Sequence, residues 1–185
     1  GGIAAGQAGH AAGSDKFIVV INFPNNRAGY MPAPVEGAGL VEALRAQAER
    51  GTKLVVLTDD AYFGLFYHLG GESMTESLFG QLTNLHSNIL AVKLDGATKE
   101  LFVWGLRCGF LTFGPGSQSG AEDACVVLDA KARGLIRAGV SNVSQLSQTL
   151  VQNALESSDI DAERKAKSDV LCARASRVYE VARAP

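Results

Sequence analysis

Three short stretches of the chain gather side chains able to do chemistry together. They are Asn22-Phe-Pro-Asn-Asn-Arg-Ala-Gly-Tyr, Asp59-Asp-Ala-Tyr-Phe-Gly-Leu-Phe-Tyr and Asp95-Gly-Ala-Thr-Lys-Glu, with Arg107 following shortly after. A lysine can form an imine with an aldehyde cofactor, a carboxylate can keep a pyridine nitrogen protonated, and the planar fork of an arginine suits a phosphate. Each residue also has an ordinary reading. Lys99 alone is a solvated lysine beside Glu100, Asp59 and Tyr62 are a strand-end cap and a core aromatic, and Arg107 is the partner of a nearby carboxylate. What separates the two readings is whether the fold brings the residues to one place.

The surrounding elements point to such a place. Phe17-Ile-Val-Val-Ile-Asn-Phe is a nearly continuous β-branched run, which predicts a strand buried on both faces, as in a parallel sheet. After a long turn rich in Pro, Asn and Gly, Leu40, Val41, Leu44 and Ala48 recur at helical spacing from about Glu36, and Gly51 supplies a stop. Lys53-Leu-Val-Val-Leu-Thr-Asp completes a strand, helix and strand unit. A helix is expected from Ser73 to Leu85, a third strand at Asn88-Ile-Leu-Ala-Val-Lys-Leu and a fourth at Cys108-Gly-Phe-Leu-Thr-Phe, whose direction the pattern does not fix. Lys93, inside the third strand, reads as a lysine that snorkels to solvent. Ligands in open α/β sheets collect beyond the carboxyl ends of the strands, where the three stretches fall.

Three helical segments follow, near Ala121 to Arg137, Val143 to Leu155 and Ala162 to Ala182, the last with Val170, Leu171, Val178 and Val181 as a thin apolar stripe. The predicted class is α/β, a mostly parallel sheet flanked by helices. Neither an internal repeat nor a low-complexity tract appears beyond the glycine-rich opening.

Composition narrows the function classes. The 185 residues are 46% hydrophobic and 19% charged, enough for one domain with a real core. Seventeen Lys and Arg against nineteen Asp and Glu give a net charge of −2, so no basic surplus advertises nucleic acid or an anionic membrane. No apolar run approaches the roughly 20 residues of a membrane span, and the opening lacks the layout of a signal peptide. Three cysteines, Cys108, Cys125 and Cys172, form no C-x-x-C pair, and a reducing, cytoplasmic setting is expected. Cys108 and Cys125 read as buried small hydrophobes. His10, His68 and His86 make no metal-ligand spacing, and no metal is expected. Gly114-Pro-Gly-Ser-Gln-Ser-Gly lacks the Gly-Lys pair of a phosphate loop and carries Gln118 where a nucleophile elbow needs serine.

Taken together, the three motifs and Trp104-Gly-Leu-Arg-Cys-Gly-Phe resemble the class I/II aminotransferases, pyridoxal-phosphate enzymes of fold type I, in both order and spacing. The resemblance covers about residues 15–183. It implies the large domain of that fold, pyridoxal 5'-phosphate as cofactor, and amino acid and 2-oxo acid as substrates. Lys99 would be the Schiff-base lysine and the base that moves a proton at the substrate α-carbon. Asp59 would pair with the pyridinium nitrogen, with Asp60 a neighbour rather than a ligand. Tyr62 and Asn26 would hydrogen-bond the cofactor's phenolic oxygen, and Arg107 would grip its phosphate.

The departures from the family pattern are informative. Asn26-Arg27-Ala28-Gly29 stands where the family reads Asn-Pro-Thr-Gly, so the rigid proline turn is gone. Gly96 stands where many relatives carry a phosphate-binding serine, which leaves Thr98 or backbone amides. The resemblance also implies segments that the sequence does not show: a glycine-rich phosphate loop and a stacking aromatic before Phe17, and a small domain after the last helix. The chain then reads as a middle fragment, residues 1–158 a partial cofactor-binding large domain and 159–185 a helix leading toward a small domain, with little turnover alone. Full-length relatives are homodimers. The rival readings are a non-catalytic α/β scaffold that has lost the chemistry, and a relative that performs elimination or decarboxylation.

Overall fold

A computed structural model of the chain describes residues 15–65, 67, 72–117 and 120–183. His10, His68 and Gln118, named above, lie outside the described residues. Strands β1 (Lys16–Asn22), β2 (Lys53–Asp59) and β3 (Ile89–Gly96) run parallel. Strand β4 (Gly109–Gly114) is antiparallel to β3, and the sheet order among the described residues is β1-β2-β3-β4. The expected mostly parallel sheet flanked by helices is what forms.

Between β1 and β2 lies α1 (Pro34–Glu49). Proline is tolerated at its first position because the missing N–H has no partner in the first turn. Glu36 accepts the Ala33 N–H at 2.8 Å and the Tyr30 hydroxyl at 2.8 Å, which fixes how the chain enters the helix. Val41, Leu44 and Ala48 bury one stripe of α1 against the sheet, and Gly51, at φ +95, ends it in a conformation other residues resist. The main core joins that stripe to Ile21, Leu54, Val56, Ile89 and Ala91 from the strands and to Met74, Leu78 and Leu82.

Two expectations are corrected. The helix predicted over 73–85 shrinks to α2 (Leu78–Leu82), because Ser77 caps it late, accepting the Phe79 N–H at 3.1 Å, and Asn84 turns left-handed at φ +59 soon after it. Nor is β1 buried on both faces. Ile18 and Val20 are 70% and 63% exposed, since β1 is an edge strand of the described sheet and α1 and α2 cover only the opposite face.

The remaining helices are α3 (Ala97–Glu100), α4 (Ala121–Gly139), α5 (Gln145–Glu156) and α6 (Ile160–Arg183), the last three within a few residues of their predicted bounds. A second, smaller core unites Ala97, Leu101 and Cys108 with Val151 of α5, and Val143 and Ile160 pack against it. Its consequence is positional: it anchors the connection between β3 and β4, which carries Lys99 and Arg107. Cys108 is buried as expected, whereas Cys125 is only half-buried.

Candidate active site

Parallel pairing aligns the carboxyl ends of the first three strands, with Asn22 opposite Asp59 and Asp59 opposite Leu94. Because β4 runs the other way, with Gly109 opposite Gly96, its entry lies at this same end of the sheet. The direction that the sequence pattern left open is thus what brings Arg107 to the end occupied by Asn26, Asp59, Tyr62 and Lys99.

After β1, the Asn22 side chain is the junction. Its Nδ2 donates to the Asp59 carbonyl at 3.0 Å, while its Oδ1 accepts from Asn25 Nδ2 and from the Asn26 N–H, both at 3.3 Å. Asn25 Oδ1 accepts the N–H groups of Arg27 and Ala28 at 3.1 and 2.9 Å, and Gly29 follows at φ +62. Asparagine side chains thereby build the turn that proline would stiffen in the family pattern. Asn26 is held through its backbone and is exposed. Sequence reasoning placed Asn22, Asn25 and Asn26 together after the first strand and gave a cofactor role to Asn26 alone; the hydrogen bonds by which Asn22 and Asn25 shape the turn are what the structure adds.

After β2, the half-buried Asp59 accepts the Ala61 N–H at 3.2 Å. Among the described residues, no cation lies within ion-pair distance of its carboxylate. Tyr62 follows in the turn, and the Lys99 Nζ of α3 stands 4.9 Å from the centroid of its ring, within cation–π range. Glu100, the expected neighbour of Lys99, instead meets Arg164 of α6 at 2.5 Å. Arg107 is exposed, sits at φ +52 and reaches the Trp104 carbonyl at 3.4 Å. Among the described residues no carboxylate pairs with it, so the ordinary reading of Arg107 finds no partner. Phe102, in the same connection, is also left-handed at φ +59. Two strained non-glycine residues in one short connection are the kind of backbone cost that functional loops retain.

Lys93 does not snorkel. Its Nζ lies 2.5 Å from Asp95 and 3.8 Å from Asp60, which is only 5% exposed and also accepts the Ser77 hydroxyl at 2.6 Å. Burial pushes the Asp60 carboxyl above its ordinary range, with the Ser77 hydrogen bond and the Lys93 charge acting against it and Asp95 and Asp59 adding to it. For Lys93 burial acts downward, yet the hydrogen bond and charge of Asp95, with Asp60 and Glu100 behind them, hold the ammonium above its ordinary value. Sequence reasoning missed this cluster. The signal was a lysine in an apolar strand two residues before an aspartate.

No protein-family model and no curated protein matches the sequence. Solved structures do. An aminotransferase from Anaerococcus prevotii superposes with a TM-score of 0.69 at 23% identity, over 86% of this chain and 38% of that one. The fold is that of solved aminotransferases. An aromatic-amino-acid aminotransferase from Burkholderia pseudomallei, covalently bound to pyridoxal phosphate, matches with a TM-score of 0.63 at 22% identity over 87% of this chain and 37% of its own. An aromatic amino acid aminotransferase from Burkholderia cenocepacia gives 0.65 at 17% over 90% and 38%. The chain therefore spans well under half the length of these aminotransferases.

Among the described residues no group of three or more His, Cys, Asp and Glu side chains could hold a metal ion, and no helix is long and apolar enough to cross a membrane. A cleft of about 660 Å³, lined by Lys16, Ile18, Val55, Leu90, Ala124 and Leu128 among others, opens at the opposite end of the strands from Lys99. It is apolar and holds none of the candidate residues.

Proposed function

We propose that this chain carries the lysine-bearing part of a pyridoxal-phosphate site, from an enzyme that moves an amino group from an amino acid to a 2-oxo acid. The observation that carries the reading is Lys99 Nζ over the Tyr62 ring at 4.9 Å, at the sheet end shared with Asp59 and Arg107. The side chains fit the cofactor by their chemistry. Asp59 and Arg107 are charges that the described residues leave without an ionic partner, one suited to a protonated pyridine and one to a phosphate.

Bound there, pyridoxal phosphate would supply the electron sink that lets an amino acid lose its α-proton. The chain's own residues do the rest. Asp59 would hold the proton on the ring nitrogen; Tyr62 and Asn26 would donate to the phenolic oxygen; Arg107 would fork onto phosphate oxygens. Lys99 would hold the cofactor covalently and then, as a free amine, take the proton from the substrate α-carbon and return it elsewhere. Asn22 ties the turn carrying Asn26 to the β2 end carrying Asp59, so the Asn26 donor and the Asp59 acceptor would hold one spacing.

The proposal extends to a cytoplasmic setting, which the cysteine pattern favours, and to a homodimer, taken from the family resemblance. The test is to incubate the chain with pyridoxal phosphate, reduce with borohydride and map the modified lysines by peptide mass spectrometry, with Lys99→Ala as control. Selective labelling of Lys99 is expected. Labelling spread over Lys16, Lys53, Lys93 and Lys131 would sink the reading and leave the non-catalytic scaffold in its place.

A further inference from the structure

Resting on the reading of Lys99 and Tyr62 as parts of one site, we infer that Lys93 is a positioning residue that sets the distance between the turn carrying Tyr62 and the helix carrying Lys99. Its ammonium bridges Asp95 at 2.5 Å and Asp60 at 3.8 Å. Those two aspartates are the hinges of the two segments. Asp60 opens the turn that holds Tyr62: its N–H donates to the Leu94 carbonyl at 2.8 Å, and its carbonyl accepts the Phe63 N–H at 2.8 Å. Asp95 closes on the entry to α3, accepting the Gly96 N–H at 2.8 Å.

The bridge sits on the face of the sheet that α2 covers. Asp60 continues the buried row Leu54, Val56 and Thr58, and its carboxylate takes the Ser77 hydroxyl that also caps α2. Lys93 stands opposite Thr58 in that same row of the sheet. Without its ammonium, two half-buried or buried carboxylates would face each other with no counter-charge and move apart. The displacement falls on the segments that place Lys99 over Tyr62, where misplacement by about 1 Å can cost roughly a hundredfold in a reaction that needs fixed geometry.

The bridge predicts an effect on Lys99 that a purely structural lysine would not have. Two readouts are taken on the full chain: the Tyr62 ring-current shift of isotopically methylated Lys99 by NMR, which needs no cofactor, and the ratio of borohydride-trapped pyridoxal phosphate at Lys99 to that at the exposed Lys131. Lys93→Met should abolish the ring shift and lower the ratio by roughly tenfold to a hundredfold, while Lys93→Arg restores most of both. Lys93→Gln, which keeps a hydrogen-bond donor between the two carboxylates but no charge, is read in the same way if Lys93→Met does not fold. A Lys99 signal that keeps the parent chain's ring shift in either folded variant overturns the inference. If the unaltered chain shows no selective trapping, the cofactor reading fails and the ring shift alone decides the role of Lys93.

Discussion

Asp59 and Asp60 are consecutive, and the sheet sends them to different sides. Asp60 falls in the buried row with Val56 and Thr58, against Ser77 and Lys93, while Asp59 falls in the half-buried row with Val55 and Leu57. Strand alternation assigns one carboxylate to the fold and the other to the candidate site. Asp59→Asn should leave the unfolding midpoint close to that of the parent chain and weaken retention of pyridoxal phosphate at Lys99 by about tenfold, the worth of one charge-assisted hydrogen bond. Asp60→Asn should instead lower the unfolding midpoint, because it breaks a buried pair, and should reach trapping only through the placement of Lys99 over Tyr62. Thermal melts on the two variants check the split, and equal unfolding midpoints would refute it.

The pH dependence of stability follows from Asp60. Burial raises its carboxyl above the ordinary 3.8 in the folded chain, so the folded state binds the proton more tightly than the unfolded state. Its contribution to stability is therefore greatest below that ordinary value and is lost as pH rises through the raised one. Lys93 acts at the other end of the scale, contributing fully below the ordinary 10.5 and losing that contribution as pH rises through its own raised value. Denaturant titrations from acid to neutrality should show the parent chain losing ground to Asp60→Asn as pH rises. Parallel curves would show that Asp60 carries no such shift.

Much of this was legible in the residues. The β-branched runs of β1, β2 and β3 and the 3.6-residue stripe of α1 fix their elements because hydrophobic period is a local property. What stayed hidden was non-local. The exposure of Ile18 and Val20 depends on which face helices cover, and no period within β1 records that. The direction of β4 depends on pairing with β3, and with it the arrival of Arg107 at the site. Lys93 was misread because its partners, Asp60 and Asp95, meet it only once β2 and β3 are in register. The motif residues Asp59, Tyr62 and Lys99 could be named from sequence, whereas Asn22 and Asn25, which set the turn, act through hydrogen bonds that only coordinates display.

Gly96 offers a test by gain of function. Its φ of −167 is extended backbone open to any residue, and a Cβ there would meet the Cys108 carbonyl at 3.5 Å, an ordinary contact. Serine therefore fits without strain, at the cap position of α3 that serine favours. Gly96→Ser should leave stability within a few tenths of a kcal/mol and tighten binding of pyridoxal phosphate by roughly tenfold through one more donor to a charged phosphate. Pyridoxal, which lacks the phosphate, is the control. Equal tightening for both aldehydes would place the new hydroxyl away from the phosphate.

Arg107 separates stability from binding most sharply. A left-handed arginine at φ +52 carries backbone strain, and its guanidinium reaches only the Trp104 carbonyl among the described residues. Glycine relieves that strain and alanine keeps it, so Arg107→Gly should be more stable than Arg107→Ala by about 1 kcal/mol. Both should lose the preference for pyridoxal phosphate over pyridoxal, because the fork is gone from each, and Arg107→Lys should recover only part of it, since a point charge cannot make two parallel hydrogen bonds. Unfolding midpoints and competitive trapping with the two aldehydes measure the two effects separately. A preference for the phosphorylated aldehyde that survives in Arg107→Ala would mean that backbone amides or Thr98, and not Arg107, meet the phosphate.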